Sequence, residues 1–228
     1  MSSTAPPSQR PQKSSARRIR PRKDPGYLTG KRTGALYWQP GSEVAMSTMR
    51  FDPSHAVKFN LAAGHIDLEG ARVLVPPDAL LELCTAAGAE SVTDFGRRMG
   101  TEVGRRVAAR LGDGIKGASI EGVVDHFGGD LALLGLGNLG IERWGRALIF
   151  TVEGSPLGAA GDALVAAVLE GAMQRGAGRD VRIVFLTRED TVARFAALSA
   201  STAGKASGWL SEGVAWGDVI VRLQAGNV

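Results

Sequence analysis

The residues Gly135-Leu136-Gly137-Asn138-Leu139-Gly140 carry the G-x-G-x-x-G spacing that lets a backbone approach a dinucleotide pyrophosphate. That chemistry needs a strand before the glycines and a helix after them, so that the phosphates meet a helix N-terminus. Here a helical pattern leads in and a strand pattern leads out, so the segment reads as a glycine-rich turn. Gly204-Lys205-Ala206-Ser207 falls short of a phosphate loop, because Ser199 stands where the first glycine belongs and Ala206 follows the lysine. A zinc site takes about four ligands, or three and a water. His55, His65 and His126 are scattered, none lies four residues from another, and Cys84 is the one cysteine. Asp125 and His126 are neighbours in a helical pattern and point to different faces, so they are no acid–base pair. Glu189-Asp190 lies at a strand end and reads as helix capping. No G-x-S-x-G elbow occurs. The expectation is a chain that is not an enzyme and takes neither metal nor cofactor.

The elements around these residues follow from periodicity. Residues 36–63 give no clear pattern, with Trp38, Phe51 and Phe59 as anchors. A strand and turn over Ile66 to Gly70 precede the apolar run Val73-Leu74-Val75, which Pro76-Pro77 stops. Asp78 then caps a helix carrying Leu80, Leu81, Leu83 and Cys84, which Gly88 ends. From Val92 to Leu111 the apolar residues Val92, Phe95, Met99, Val103, Val107 and Leu111 recur every three or four positions. A helix from Ser119 places Val123, Val124, Phe127, Leu131 and Leu134 on one face. Residues 146–153 and Val181 to Leu186 read as strands by their β-branched and aromatic content. Between them lies a helix, apolar almost all round, with Leu164, Val165, Val168, Leu169 and Met173, which should be central and buried. Thr191 to Leu210 reads as an amphipathic helix, and Val219 to Leu223 as a closing strand. Strands and helices alternate without a repeated βαβ period. The fold class is therefore a mixed α/β (α+β) single domain, an antiparallel sheet packed by helices.

Beside the apolar stripe of the Val92–Leu111 helix runs a second stripe, Gly96, Gly100, Gly104 and Ala108, at intervals of four. Three interior glycines forfeit up to about 2–3 kcal/mol of helix propensity, which a close approach must offset. A neighbouring helix of the same domain, a partner helix or a ligand could fill the groove. The expectation is a helix–helix contact at a dimer interface, with Arg97 and Arg105 as its charged rim.

Charge divides the chain. Residues 1–35 hold nine basic side chains, Arg17, Arg18, Arg20, Arg22 and Lys23 among them, against the single acid Asp24. The remaining residues carry more acids than bases, so the overall charge of +4 is a property of the tail. With five prolines and few large apolar residues, residues 1–35 are read as a disordered basic tail ahead of a domain at 36–228. Such an arm could meet nucleic acid, an anionic membrane surface or an acidic protein. Tyr27 is its lone aromatic, so base stacking and sequence-specific readout are not expected. No apolar run reaches the roughly 18 residues of a membrane span. No secretory h-region follows the N-terminus. One unpaired cysteine fits a reducing cytoplasm.

The order of elements resembles the 4-vinyl reductase domain, a small-molecule-binding module whose fold is shared with subunits of the transport protein particle. The likeness rests on Gly64 to Pro76 as an opening hairpin, and on Phe95-Gly96-Arg97-Arg98-Met99-Gly100-Thr101-Glu102-Val103-Gly104 as a Gly-x-x-x-Gly helix. It continues through Gly137 to Val152, then Glu153-Gly154-Ser155-Pro156, and covers about residues 59–187 plus the terminal strand. Two departures stand out. Many members carry a C-terminal cysteine cluster, whereas no cysteine follows Cys84 here. The acylated transport-particle subunits use a cysteine after the glycine helix, whereas Cys84 precedes it. Neither metal nor acylation carries over.

The resemblance implies a cytoplasmic binding and regulatory module that encloses a small apolar ligand and acts on a protein partner in trans, since the chain has no room for an output domain. Phe95, Met99, Val103, Phe127 and Phe150 would line the cavity, because they lie on the faces this family packs around it. A dimeric scaffold or assembly subunit, with the tail recruiting a partner, is the alternative.

Overall fold

The computed structural model describes residues 51–225 apart from 54, 55, 61, 63, 69, 113–118, 146, 177 and 179, all within one unit that spans residues 46–228. The basic tail, its boundary at residue 35 and the Trp38 anchor lie outside the described residues.

Among the described residues, seven strands form two antiparallel sheets. The first is a small meander of β1 (Lys58–Asn60), β2 (His65–Asp67) and β3 (Ala71–Arg72). The second has the order β4-β5-β7-β6, from β4 (Asn138–Trp144), β5 (Ala147–Glu153), β6 (Arg182–Glu189) and β7 (Val192–Leu198). Strand alternation turns Phe150, Val152, Ala193, Phe195 and Ile183 to one face, against α2 (Ala89–Leu111), α3 (Ile120–Leu133) and α4 (Asp162–Gly176). Ile149, Val184, Leu186 and Ala196 face the other way, onto α5 (Ala200–Ser211) and α6 (Trp216–Ala225). The mixed α/β class and the antiparallel sheet packed by helices are as the periodicity indicates. Phe127, Phe150 and Phe195 are fully buried, each burial contributing about 1.5–3 kcal/mol.

The apolar α4 is the central helix. Its fit against α2 explains the glycine stripe. A Cβ at Gly96 would stand 2.6 Å from the Ala167 Cβ, one at Gly100 would stand 2.7 Å from the Ala172 amide, and one at Gly104 2.6 Å from the Ala172 carbonyl. Gly171 of α4 returns the arrangement by lying against the Arg97 carbonyl. The stripe therefore closes a contact inside the chain, and the three glycines are buried there, so the expected dimer interface at this stripe is corrected to intrachain packing. The flanking arginines are likewise used internally, Arg97 on Glu170 and Arg105 on Glu102.

Three local readings also change. Thr191 to Leu210 is a strand and a helix, β7 then α5, because Ser199 caps α5 by accepting from the Thr202 amide and so ends the strand before it. Val219 to Leu223 is helical, in α6: Val219, Ile220 and Leu223 are buried while Val221 is exposed, which is helix spacing rather than alternation. Glu189-Asp190 caps no helix but begins the β6–β7 turn, with Asp190 at φ 51°. A register shift between Phe185 and Thr187 then swings Arg188 onto Asp162 at the start of α4.

Candidate functional site

α1 (Pro77–Ala87) begins with Pro77 after Pro76, whose side chain cannot cap, and Asp78 sits in the first turn rather than at the cap. Gly88, at φ 82°, turns the chain directly into α2. None of the residues of α1 is fully buried. Leu80, Leu81 and Cys84 pack partly onto the main core, while Leu83 is 65% exposed.

Between the two helices lies a groove of about 250 Å³, lined by Leu80, Leu83, Cys84 and Ala87 from α1 and by Ser91, Val92 and Phe95 from α2. All but Ser91 present hydrocarbon or thiol, so the groove offers little to a polar solute. Its spacing follows from sequence: Leu80, Leu83 and Ala87 recur every three or four positions in α1, and in α2 Phe95 lies three residues after Val92 and four after Ser91.

The five residues expected to wall an internal cavity separate into two groups. Val103, Phe127 and Phe150 are buried in the packed core, and Met99 lies half-buried against it. Phe95 is 44% exposed and lines the α1–α2 groove instead. The structure thus brings one of the five to a groove and gives the others to packing, which is the ordinary fate of an apolar stripe.

Two other depressions are formed by described residues. One, of about 440 Å³, is broad and charged, with Arg97, Gln174, Gly178, Asp180 and Arg182 on its wall. Its two arginines are committed to the buried Glu170: Arg97 Nε donates to Oε1 at 2.8 Å and Arg182 Nη1 at 2.9 Å, while Oε2 accepts from the Ile183 amide at 3.1 Å. The second, of about 350 Å³, lies between β5, β7 and the starts and ends of α5 and α6, lined by Leu148, Leu198, Thr202, Leu223 and Gln224 among others.

Sequence reasoning missed the buried charges. Asp130 of α3 is fully buried and accepts from Arg110 Nη2 at 2.9 Å and from Arg106 Nε at 3.4 Å, and the Arg106 guanidinium is itself buried with Nη2 unpartnered. Arg106 is spaced with Val103 and Val107 on the core side of α2, which is the signal available in the sequence. Asp125 accepts from the Phe51 amide at 3.1 Å, and the Phe51 ring meets His126 edge-on at 6.3 Å, so the Asp125-His126 pair is structural. On the far face, burial works to raise the Glu142 pKa, but donation from Trp144 and Arg194 outweighs it and holds the carboxyl below the usual carboxylate value. The Asp162 hydrogen bond raises the Arg188 guanidinium above its ordinary value. Among the described residues no three His, Cys, Asp or Glu side chains gather as a metal site requires. None of the described helices is long and apolar enough to cross a membrane.

No family model and no curated protein matches the chain. Among solved structures, the chain is similar to one described as the phenol-responsive sensory domain of the transcription activator PoxR with phenol. The two share 15% identity at a TM-score of 0.49, over 63% of this chain and 85% of that chain.

Proposed function

We propose that this chain is a non-catalytic binding module of the cytoplasm that takes a small apolar molecule in the α1–α2 groove and passes its presence to a protein partner through α1. The observation that carries the reading is the groove itself, an apolar recess of about 250 Å³ between two helices. Pockets for drug-sized ligands measure roughly 300–1,000 Å³, whereas a cavity of about 150 Å³ lined by Leu, Ile and Phe accepts benzene. The volume therefore fits a single substituted ring or a short branched hydrocarbon. Phe95 supplies an aromatic face, Leu80, Leu83 and Val92 supply methyl contacts, and Ser91 is the one hydroxyl available for orientation.

Signalling follows from how α1 is held. It buries no residue fully and joins α2 through the turn at Gly88, so a ligand touching both helices adds contacts that α1 otherwise lacks. A partner reading the outer surface of α1 would sense that change. The resemblance of residues 59–187 to the 4-vinyl reductase domain points to the same ligand class.

Thermal unfolding with toluene as the probe tests this. At ten times its Kd the probe stabilises the protein by about 1.4 kcal/mol, a rise in Tm of roughly 3–5 °C. Ala87→Trp, which fills the groove from an exposed position, abolishes the rise. An equal rise in both proteins would place the ligand elsewhere, and no rise in either would remove the reading.

A further inference from the structure

We propose that the charged depression walled by Arg97 and Arg182 binds a small monocarboxylate that carries a hydroxyl or amino group, at a site separate from the α1–α2 groove. The anchor of this site is Glu170 of α4, whose side chain is 7% exposed. One guanidinium is enough to neutralise a buried carboxylate. Glu170 Oε1 instead accepts from two, Arg97 of α2 at 2.8 Å and Arg182 of β6 at 2.9 Å, while Oε2 takes the Ile183 amide at 3.1 Å. Because both guanidiniums bond the same oxygen, they stand side by side, and together with Glu170 they hold one positive charge in excess.

Glu170 takes a single donor from each arginine, and the rest of each fork has no hydrogen-bond partner among the described residues. Asp94 stands 3.8 Å from Arg97 Nη1, beyond hydrogen-bond distance. The two side chains are 39% and 42% exposed on the wall of the depression, whose volume of about 440 Å³ lies within the range of ligand pockets. Guanidinium forks match a carboxylate in shape as well as charge, and one carboxylate cancels the excess. The remaining polar wall accepts rather than donates. Gln174 spends Nε2 on the Val181 carbonyl at 3.0 Å, which leaves Oε1, and Asp180 adds its carboxylate. Those acceptors suit a hydroxyl or ammonium on the ligand, and the Asp180 charge disfavours a second negative group. An ion pair serving the fold alone would need neither the second arginine nor these acceptors.

The test is an NMR titration with lactate, read at the arginine Nε–Hε signals, with lactamide as the neutral isostere. Lactate is expected to shift the Arg97 and Arg182 signals together and to saturation, and lactamide to leave them in place. Arg182→Gln should weaken lactate binding by about tenfold; Arg97 stays on Glu170 in that variant, so the buried carboxylate keeps a charged partner. Asp180→Asn, an exposed change that removes a like charge from the wall, should tighten binding by about twofold. Circular dichroism checks the fold of both variants. Shifts that never saturate would overturn the proposal, as would lactamide matching lactate, Arg182→Gln binding like wild type, or Asp180→Asn failing to bind more tightly.

Discussion

Substituting Gly100 by alanine tests the packing on which the fold depends. In an isolated helix this change helps by up to about 1 kcal/mol, since glycine is the weaker helix former. In place, the new Cβ would meet the Val168 carbonyl oxygen and, at 2.7 Å, the Ala172 amide, both backbone atoms of α4. Neither can rotate aside, so α2 and α4 must part along the whole contact that also seats Val103, Val107, Leu164 and Val168. Overpacking of this kind costs about 1–3 kcal/mol and sits here at the upper end. Net of propensity, Gly100→Ala should destabilise by about 2 kcal/mol, or roughly 4–8 °C in Tm for a domain of this size. Gly204 in α5 is the matched control, because nothing lies within 4 Å of its added Cβ. Gly204→Ala should raise Tm by a few degrees. Differential scanning calorimetry of both variants gives the answer. A Gly100→Ala protein as stable as the Gly204→Ala protein would refute the intrachain account of the stripe.

Two further outcomes follow from the charges. Asp130→Ala strands the buried Arg106 guanidinium without its carboxylate, and urea unfolding should show a loss of about 3–5 kcal/mol; a loss below about 1 kcal/mol would mean that Asp130 holds nothing. Glu142 is held below its ordinary value of 4.5, so its contribution is complete above that pH and fades as pH falls through the depressed folded value. The stability gap between wild type and Glu142→Gln should accordingly be constant from pH 7 to about 5 and shrink below about 4 in urea titrations, whereas a gap that widened on acidification would reverse the assignment.

The sequence made the main helices and the sheet legible where periodicity ran unbroken: Val92 to Leu111, the helix after Ser119, the apolar α4, and strands β5 and β6. It failed where residue type and spacing disagreed. The β-branched Val219-Ile220-Val221 reads as a strand, yet three-dimensional burial selects Val219, Ile220 and Leu223 and makes it a helix. Alanines in Ala193-Arg194-Phe195-Ala196-Ala197 favour helix by propensity, and pairing with β5 and β6 on both sides overrides it. The glycine stripe announced a close approach, but spacing alone does not distinguish a helix of the same chain from one of another. The candidate groove escaped notice because its walls, Leu83 and Phe95, are visible as a site only through their exposure, which no local pattern encodes.

The ligand groove is tested most directly by methyl-labelled NMR of the protein titrated with toluene. The methyl resonances of Leu80, Leu83 and Val92 should move together and saturate, while those of Val103 and Val152 beside Phe127 and Phe150 stay in place. Movement of Val103 and Val152 with Leu83 unchanged would put the ligand inside the core and contradict the assignment to the α1–α2 groove.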